Sequence, residues 1–199
     1  MAYSFRIALV QLGTLSGAAV ISGFAGLLTL ALNTRGLGSA DFGALSLILA
    51  NTALIGSIAA FETWQPVVRF GLRAPRVLGY TLSAAIFLDV VAAITAALAA
   101  FLVLGAFGNR TGMPPDQVWL AKLHALSLFA GVAGTPKGYF RLTERFDILA
   151  GNQVMLALML TLVSLVMWWC EAELQTYVVL FAIVASTYNI SLMVRMLRT

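Results

Sequence analysis

Residues 77–107 read VLGYTLSAAIFLDVVAAITAALAAFLVLGAF and hold one charged side chain, Asp89. About 20 apolar residues in a helix cross the hydrocarbon core of a bilayer, and this stretch is longer than that. It shows no alternation of apolar and polar residues, which argues against a barrel strand. In lipid each backbone N–H and C=O must find its partner inside the protein, and a helix does this within one segment. The stretch therefore reads as a membrane-spanning helix.

The rest of the chain follows the same pattern. Of its 199 residues 61% are hydrophobic and 10% charged, with a mean hydropathy of +0.95. Soluble domains are near one half apolar and one quarter charged, so a soluble fold could not hide this much apolar surface. Apolar runs lie roughly at 7–32, 42–61, 77–107, 118–135, 148–169 and 174–194. The reading is an all-α polytopic membrane protein with six transmembrane helices in one lobe. Only Arg6 precedes the first run, which is too long for a cleaved signal, so it reads as a retained span.

The connections carry the charge. Arg6, Arg69, Arg73, Arg76, Lys137, Arg141, Arg145, Arg195 and Arg198 fall on one side of a six-span topology, and Arg35, Arg110 and Lys122 on the other. Positive charge gathers on cytoplasmic loops, so both termini are expected in the cytoplasm. The net charge of +4 thus reports topology and not nucleic-acid binding. One cysteine, Cys170, and one histidine, His124, leave no disulfide and no usual metal set. No phosphate-loop, zinc-protease or nucleophile-elbow motif occurs, so no enzyme, cofactor or metal is expected.

Polar residues inside apolar spans are costly and often functional. Asp89 shares a helical face with Ala85, Ala92, Ala93, Ala96 and Ala100, a small-residue stripe where helices approach closely. It is either a hydrogen-bonded seam residue or a proton- or cation-coupling site. Asn51, Glu62, Gln65 and Arg69 fall on one face of an ideal second helix, with Pro66 expected to kink or end it. These four are further cavity candidates, weighed against simple placement in the interface. Lys122 and His124, beside Trp119, read as interfacial anchors. Gly13 with Gly17, and Ser22 with Gly26, read as close-packing pairs.

Three segments carry a resemblance. Arg35-Gly36-Leu37-Gly38-Ser39-Ala40-Asp41-Phe42-Gly43 resembles the R-x-L-G-x-x-x-F-G signature of the polysaccharide biosynthesis (oligosaccharide flippase) proteins. Pro66-Val67-Val68-Arg69-Phe70-Gly71 resembles their exit from span two, and Arg141 to Ala150 resembles their loop between spans four and five. This family belongs to the multidrug/oligosaccharidyl-lipid/polysaccharide exporter superfamily. The resemblance implies two six-helix lobes around a cavity that moves polyprenyl-diphosphate-linked glycan across the bacterial inner membrane by alternating access. The partners it implies are the lipid bilayer, the lipid-linked oligosaccharide, and a carboxy-terminal lobe or a second copy of the chain. The expectation is an amino-terminal lobe from a truncated reading frame. Two rivals stand beside it: a cation-coupled multidrug exporter, and a non-transporting scaffold in a glycan assembly complex.

Overall fold

The computed structural model describes residues 2–59, 62–73, 75–108, 113–131 and 133–199. Among them are seven α-helices: α1 (Ala2–Ala59), α2 (Trp64–Arg73), α3 (Leu78–Phe107), α4 (Pro115–Ala125), α5 (Gly134–Leu142), α6 (Phe146–Trp169) and α7 (Leu174–Leu197). Short 3-10 turns, Pro75–Val77 and Leu126–Ala130, precede α3 and follow α4. No strand occurs among the described residues. Arg110 and the side chain of Arg6, both used above for topology, lie outside the described residues.

Five segments are long and apolar enough to cross a membrane: Leu9–Ile58, Leu78–Phe107, Pro115–Leu142, Phe146–Trp169 and Leu174–Leu197. In the most apolar window of Leu9–Ile58 only 11% of the residues are buried. Large side chains such as Phe24, Leu27, Phe87 and Leu102 are exposed. So broad an apolar surface needs a lipid environment. The chain is an all-helical membrane protein.

Six crossings are expected from the sequence and five segments are counted. The difference lies in Leu9–Ile58, which is 50 residues long. At 1.5 Å per residue that is about 75 Å, more than twice the hydrocarbon thickness. Inside it Gly38 leaves helical geometry, with φ 72° and ψ 177°. Only glycine adopts that region at little cost. We call residues 2–37 and 39–59 the first and second arms of α1.

Pairwise contacts set the helix directions. Thr29 Oγ1 and Thr161 Oγ1 are 2.9 Å apart, and Gly36 lies against Trp168. Both positions advance together, so the first arm runs parallel to α6. Thr52 bonds His124 and Gly56 lies against Leu128, so the second arm runs parallel to α4. Gly108 lies against Val118 while Asp89 bonds Thr135, so α3 runs antiparallel to the α4–α5 segment. A short turn between Trp169 and Leu174 sends α7 back antiparallel to α6, and Ser191 donates to Asn152 Oδ1 near their other ends. The main core gathers Leu45 and Ile48 of the second arm, Ala100 of α3, Ala121 of α4 and Tyr177 and Val178 of α7. The small-residue stripe is the buried face of α3.

Three expectations need correction. The fourth span does not run unbroken over 118–135, because Gly131, Gly134 and Pro136 interrupt it. Gly131 N–H turns back onto Leu128 O at 2.8 Å, and Pro136 sits in the first turn of α5, where its missing N–H costs nothing. Lys137 and Arg141 therefore stand on a helix and not in a basic loop. Pro66 does not end a helix either. The break falls at Glu62, with φ 49°, and Pro66 lies in the first turn of α2. Finally, methyl groups added to Gly13 or Gly17 would meet nothing within 4 Å among the described residues, so that pair makes no close packing there, whereas Ser22 of the other pair has its hydroxyl buried and Gly26 lines a cavity.

Candidate functional site: a charged cavity at a broken helix

The break between α4 and α5 puts the start of a helix beside α3. The first amides of a helix have no partner inside it, and the helix dipole makes that end positive. Asp89, only 7% exposed, supplies what is missing. Thr135 N–H, near the start of α5, donates to Asp89 Oδ2 at 2.7 Å. Thr63, just ahead of α2, donates its hydroxyl to Asp89 Oδ1. One carboxylate thus ties three elements together by capping α5 from outside its own helix.

This junction demands glycine at 134. A methyl group there would fall on Thr63 Oγ1 and lie 2.9 Å from Asp89 Oδ1. One turn on, a methyl group at Gly138 would lie 2.9 Å from both Trp64 Cα and Val67 Cβ. The backbones of α2 and α5 are therefore in close contact.

Above this wall lies a cavity of about 340 Å³. Its charged lining is Glu62, Asp89, Lys137 and Arg141, and alanines of α3 form its back. Lys137 and Arg141 are four residues apart and so share one face of α5. Arg141 stacks its guanidinium 4.1 Å above the ring of Trp64, whose indole N–H donates to the Glu62 carboxylate. Among the described residues no carboxylate comes within ion-pair distance of Lys137, although Glu62 and Asp89 attract it and Arg141 repels it. Two cations with slack in their pairing suit an anion that adds to the site, a phosphate group above all.

The sequence candidates separate here. Asp89 and Glu62 line the cavity. Gln65 and Arg69 are exposed on α2 and do not line it. Asn51 donates to Leu47 O in its own helix at 3.0 Å and stays outside the cavity. Their common face existed only on an unbroken helix, and Glu62 breaks it. Lys137 and Arg141 were not among the candidates. The signal that points to them is the Gly131-Val132-Ala133-Gly134-Thr135-Pro136 interruption, since broken membrane helices mark binding sites. His124 also departs from expectation: at 6% exposure it is a core residue and not an interfacial anchor. Among the described residues no three His, Cys, Asp or Glu side chains are grouped to hold a metal ion.

No protein-family model matches the chain, and no solved structure matches it. Among curated proteins it is similar to inner membrane protein YghQ of Escherichia coli (strain K12), with 27% identity over 173 residues. That likeness covers 84% of this chain but only 49% of the relative, so the chain spans about half the length of the membrane protein it matches.

Proposed function

We propose that the chain is the amino-terminal lobe of a flippase that carries polyprenyl-diphosphate-linked glycan across the bacterial inner membrane. The observation that carries this reading is the placement of Lys137 and Arg141 on a broken membrane helix, facing a cavity. A diphosphate is a doubly charged, oxygen-rich group, and a lysine and an arginine on one face are a fitting receptor for it. The resemblance of the Arg35–Gly43 segment to the flippase signature supports the same reading, as does the similarity to an inner membrane protein about twice as long.

In this reading each arm of α1 crosses once, giving six crossings with both termini in the cytoplasm. The open faces around Gly13 and Gly17 leave room for a second lobe, on the same polypeptide or a second copy. Transport needs no covalent step. One lobe rocks against the other, and substrate charge is held by Lys137 and Arg141 while α5 stays anchored to Asp89. The test is export of surface polysaccharide in cells carrying Lys137→Ala with Arg141→Ala. Loss of export with normal membrane insertion supports the reading, and unchanged export contradicts it.

A specific observation favours a second reading. Glu62 and Asp89 also line the cavity, and carboxylates suit a cationic drug. A multidrug exporter would lose dye efflux in Glu62→Gln and keep polysaccharide export.

A further inference from the structure

The turn from α2 into α3 gathers charge of one sign. Gly71 of α2 lies against Leu142, the last residue of α5, so α2 ends level with the end of the Pro115–Leu142 segment. Pro75–Val77 then leads straight into α3, which starts the next crossing. The side chains of this turn therefore stand at the surface of the membrane and not in its middle. Val67 and Gly71 are buried, on the face of α2 that meets α5. At about 100° per residue, Arg69 and Arg73 fall on the opposite face, one turn apart. Both are exposed, as is Arg76 just beyond them. None of the three has an ion-pair partner among the described residues, and none lines the charged cavity. The same helix exposes Phe70 and Leu72, which flank the arginine pair on its two sides.

We propose that this outer face of α2 is a seat for an anionic phospholipid. The flanking apolar side chains suit the acyl boundary, and the arginines suit the phosphate just above it. A guanidinium can take two phosphate oxygens at once, which a lysine cannot. Covering the face with protein would bury arginines that have no partner on this chain, a cost that a headgroup avoids. The lipid is a resident of the membrane and not cargo, so the seat is separate from the charged cavity. The two are nonetheless joined, because α2 supplies Trp64 to the cavity lining and touches the backbone of α5. A seated lipid holds that wall of the cavity at the membrane surface.

The test is lipid retention, read by native mass spectrometry of the full chain released from detergent that holds phosphatidylglycerol and phosphatidylcholine in equal amounts. The wild-type chain should keep phosphatidylglycerol over phosphatidylcholine by about tenfold or more, the equivalent of one charge-assisted hydrogen bond. Arg69→Gln with Arg73→Gln should bring that ratio close to unity. Arg69→Lys with Arg73→Lys keeps the charge and loses the fork. It should give an intermediate ratio, and it serves if the glutamine pair fails to fold. Arg145→Gln, just past the end of α5 and already paired with Asp147, should leave the ratio unchanged. No preference in the wild-type chain, full preference in either double variant, or an equal loss in Arg145→Gln overturns the proposal.

Discussion

Glycines occupy two contrasting regions of this molecule. At the charged cavity Gly134 and Gly138 are hemmed in by Thr63, Asp89, Trp64 and Val67. Along the first arm of α1, Gly13, Gly17, Gly23 and Gly26 have open space where a side chain would be. Composition does not distinguish the two sets; what surrounds them does. At the cavity, glycine lets α5 approach α2 and α3 closely enough for a carboxylate to cap it. At Gly13 and Gly17, glycine is solvated by lipid or covered by something other than the described residues. The structural constraint at these glycines is thus concentrated at the charged cavity, and the Gly13–Gly17 face is permissive.

Substitutions can break or sharpen this contrast. The largest effect is expected for Asp89→Ala, which leaves the Thr135 amide and the Thr63 hydroxyl unpaired in a buried site. At about 1–3 kcal/mol for each orphaned donor, unfolding in detergent should be easier by about 2–6 kcal/mol. Asp89→Asn keeps an acceptor oxygen, so its stability loss should be clearly smaller while polysaccharide export still falls. Gly134→Ala overpacks the same junction and should cost about 1–3 kcal/mol. Gly38→Ala should cost about as much, about 1–3 kcal/mol, for a different reason: space is open there, but the backbone conformation suits only glycine. Lys137→Ala with Arg141→Ala should cost about 1–2 kcal/mol of stability, chiefly the lost stacking of Arg141 on Trp64, and reduce substrate affinity about tenfold for each lost charge-assisted bond. At the bottom of the scale, Gly17→Ala should shift stability by less than about 1 kcal/mol, in the stabilising direction. A large loss there would mean that the Gly13–Gly17 face, and not only the face turned to α6, has a close partner.

The long apolar helices could be read directly from the sequence, because a bilayer imposes a minimum length and tolerates few charges. Asp89 stood out for the same reason, and its alanine stripe correctly marked the buried face of α3. The broken fourth span was harder to see. Gly131 and Gly134 lie in an apolar run that looks continuous, and Lys137 and Arg141 resemble the basic residues that follow any cytoplasmic span. Only the folded chain brings positions 62, 89 and 137 to one cavity. The supposed stripe from Asn51 to Arg69 failed because its phase assumed an intact helix, and nothing in a glutamate announces the positive φ of Glu62. His124 was misread because sequence depth along a span says nothing about which face of the helix points inward.

The central claim is that Lys137 faces a watery, anion-accepting cavity within a membrane protein. It is tested most directly by thiol labelling in sealed vesicles, in a Cys170→Ser background. The account predicts that Lys137→Cys reacts with a water-soluble maleimide much faster than Leu27→Cys on the lipid-facing arm, and that a polyprenyl diphosphate slows the reaction. Equal reactivity at the two positions, or labelling at 137 that the diphosphate leaves untouched, would contradict it.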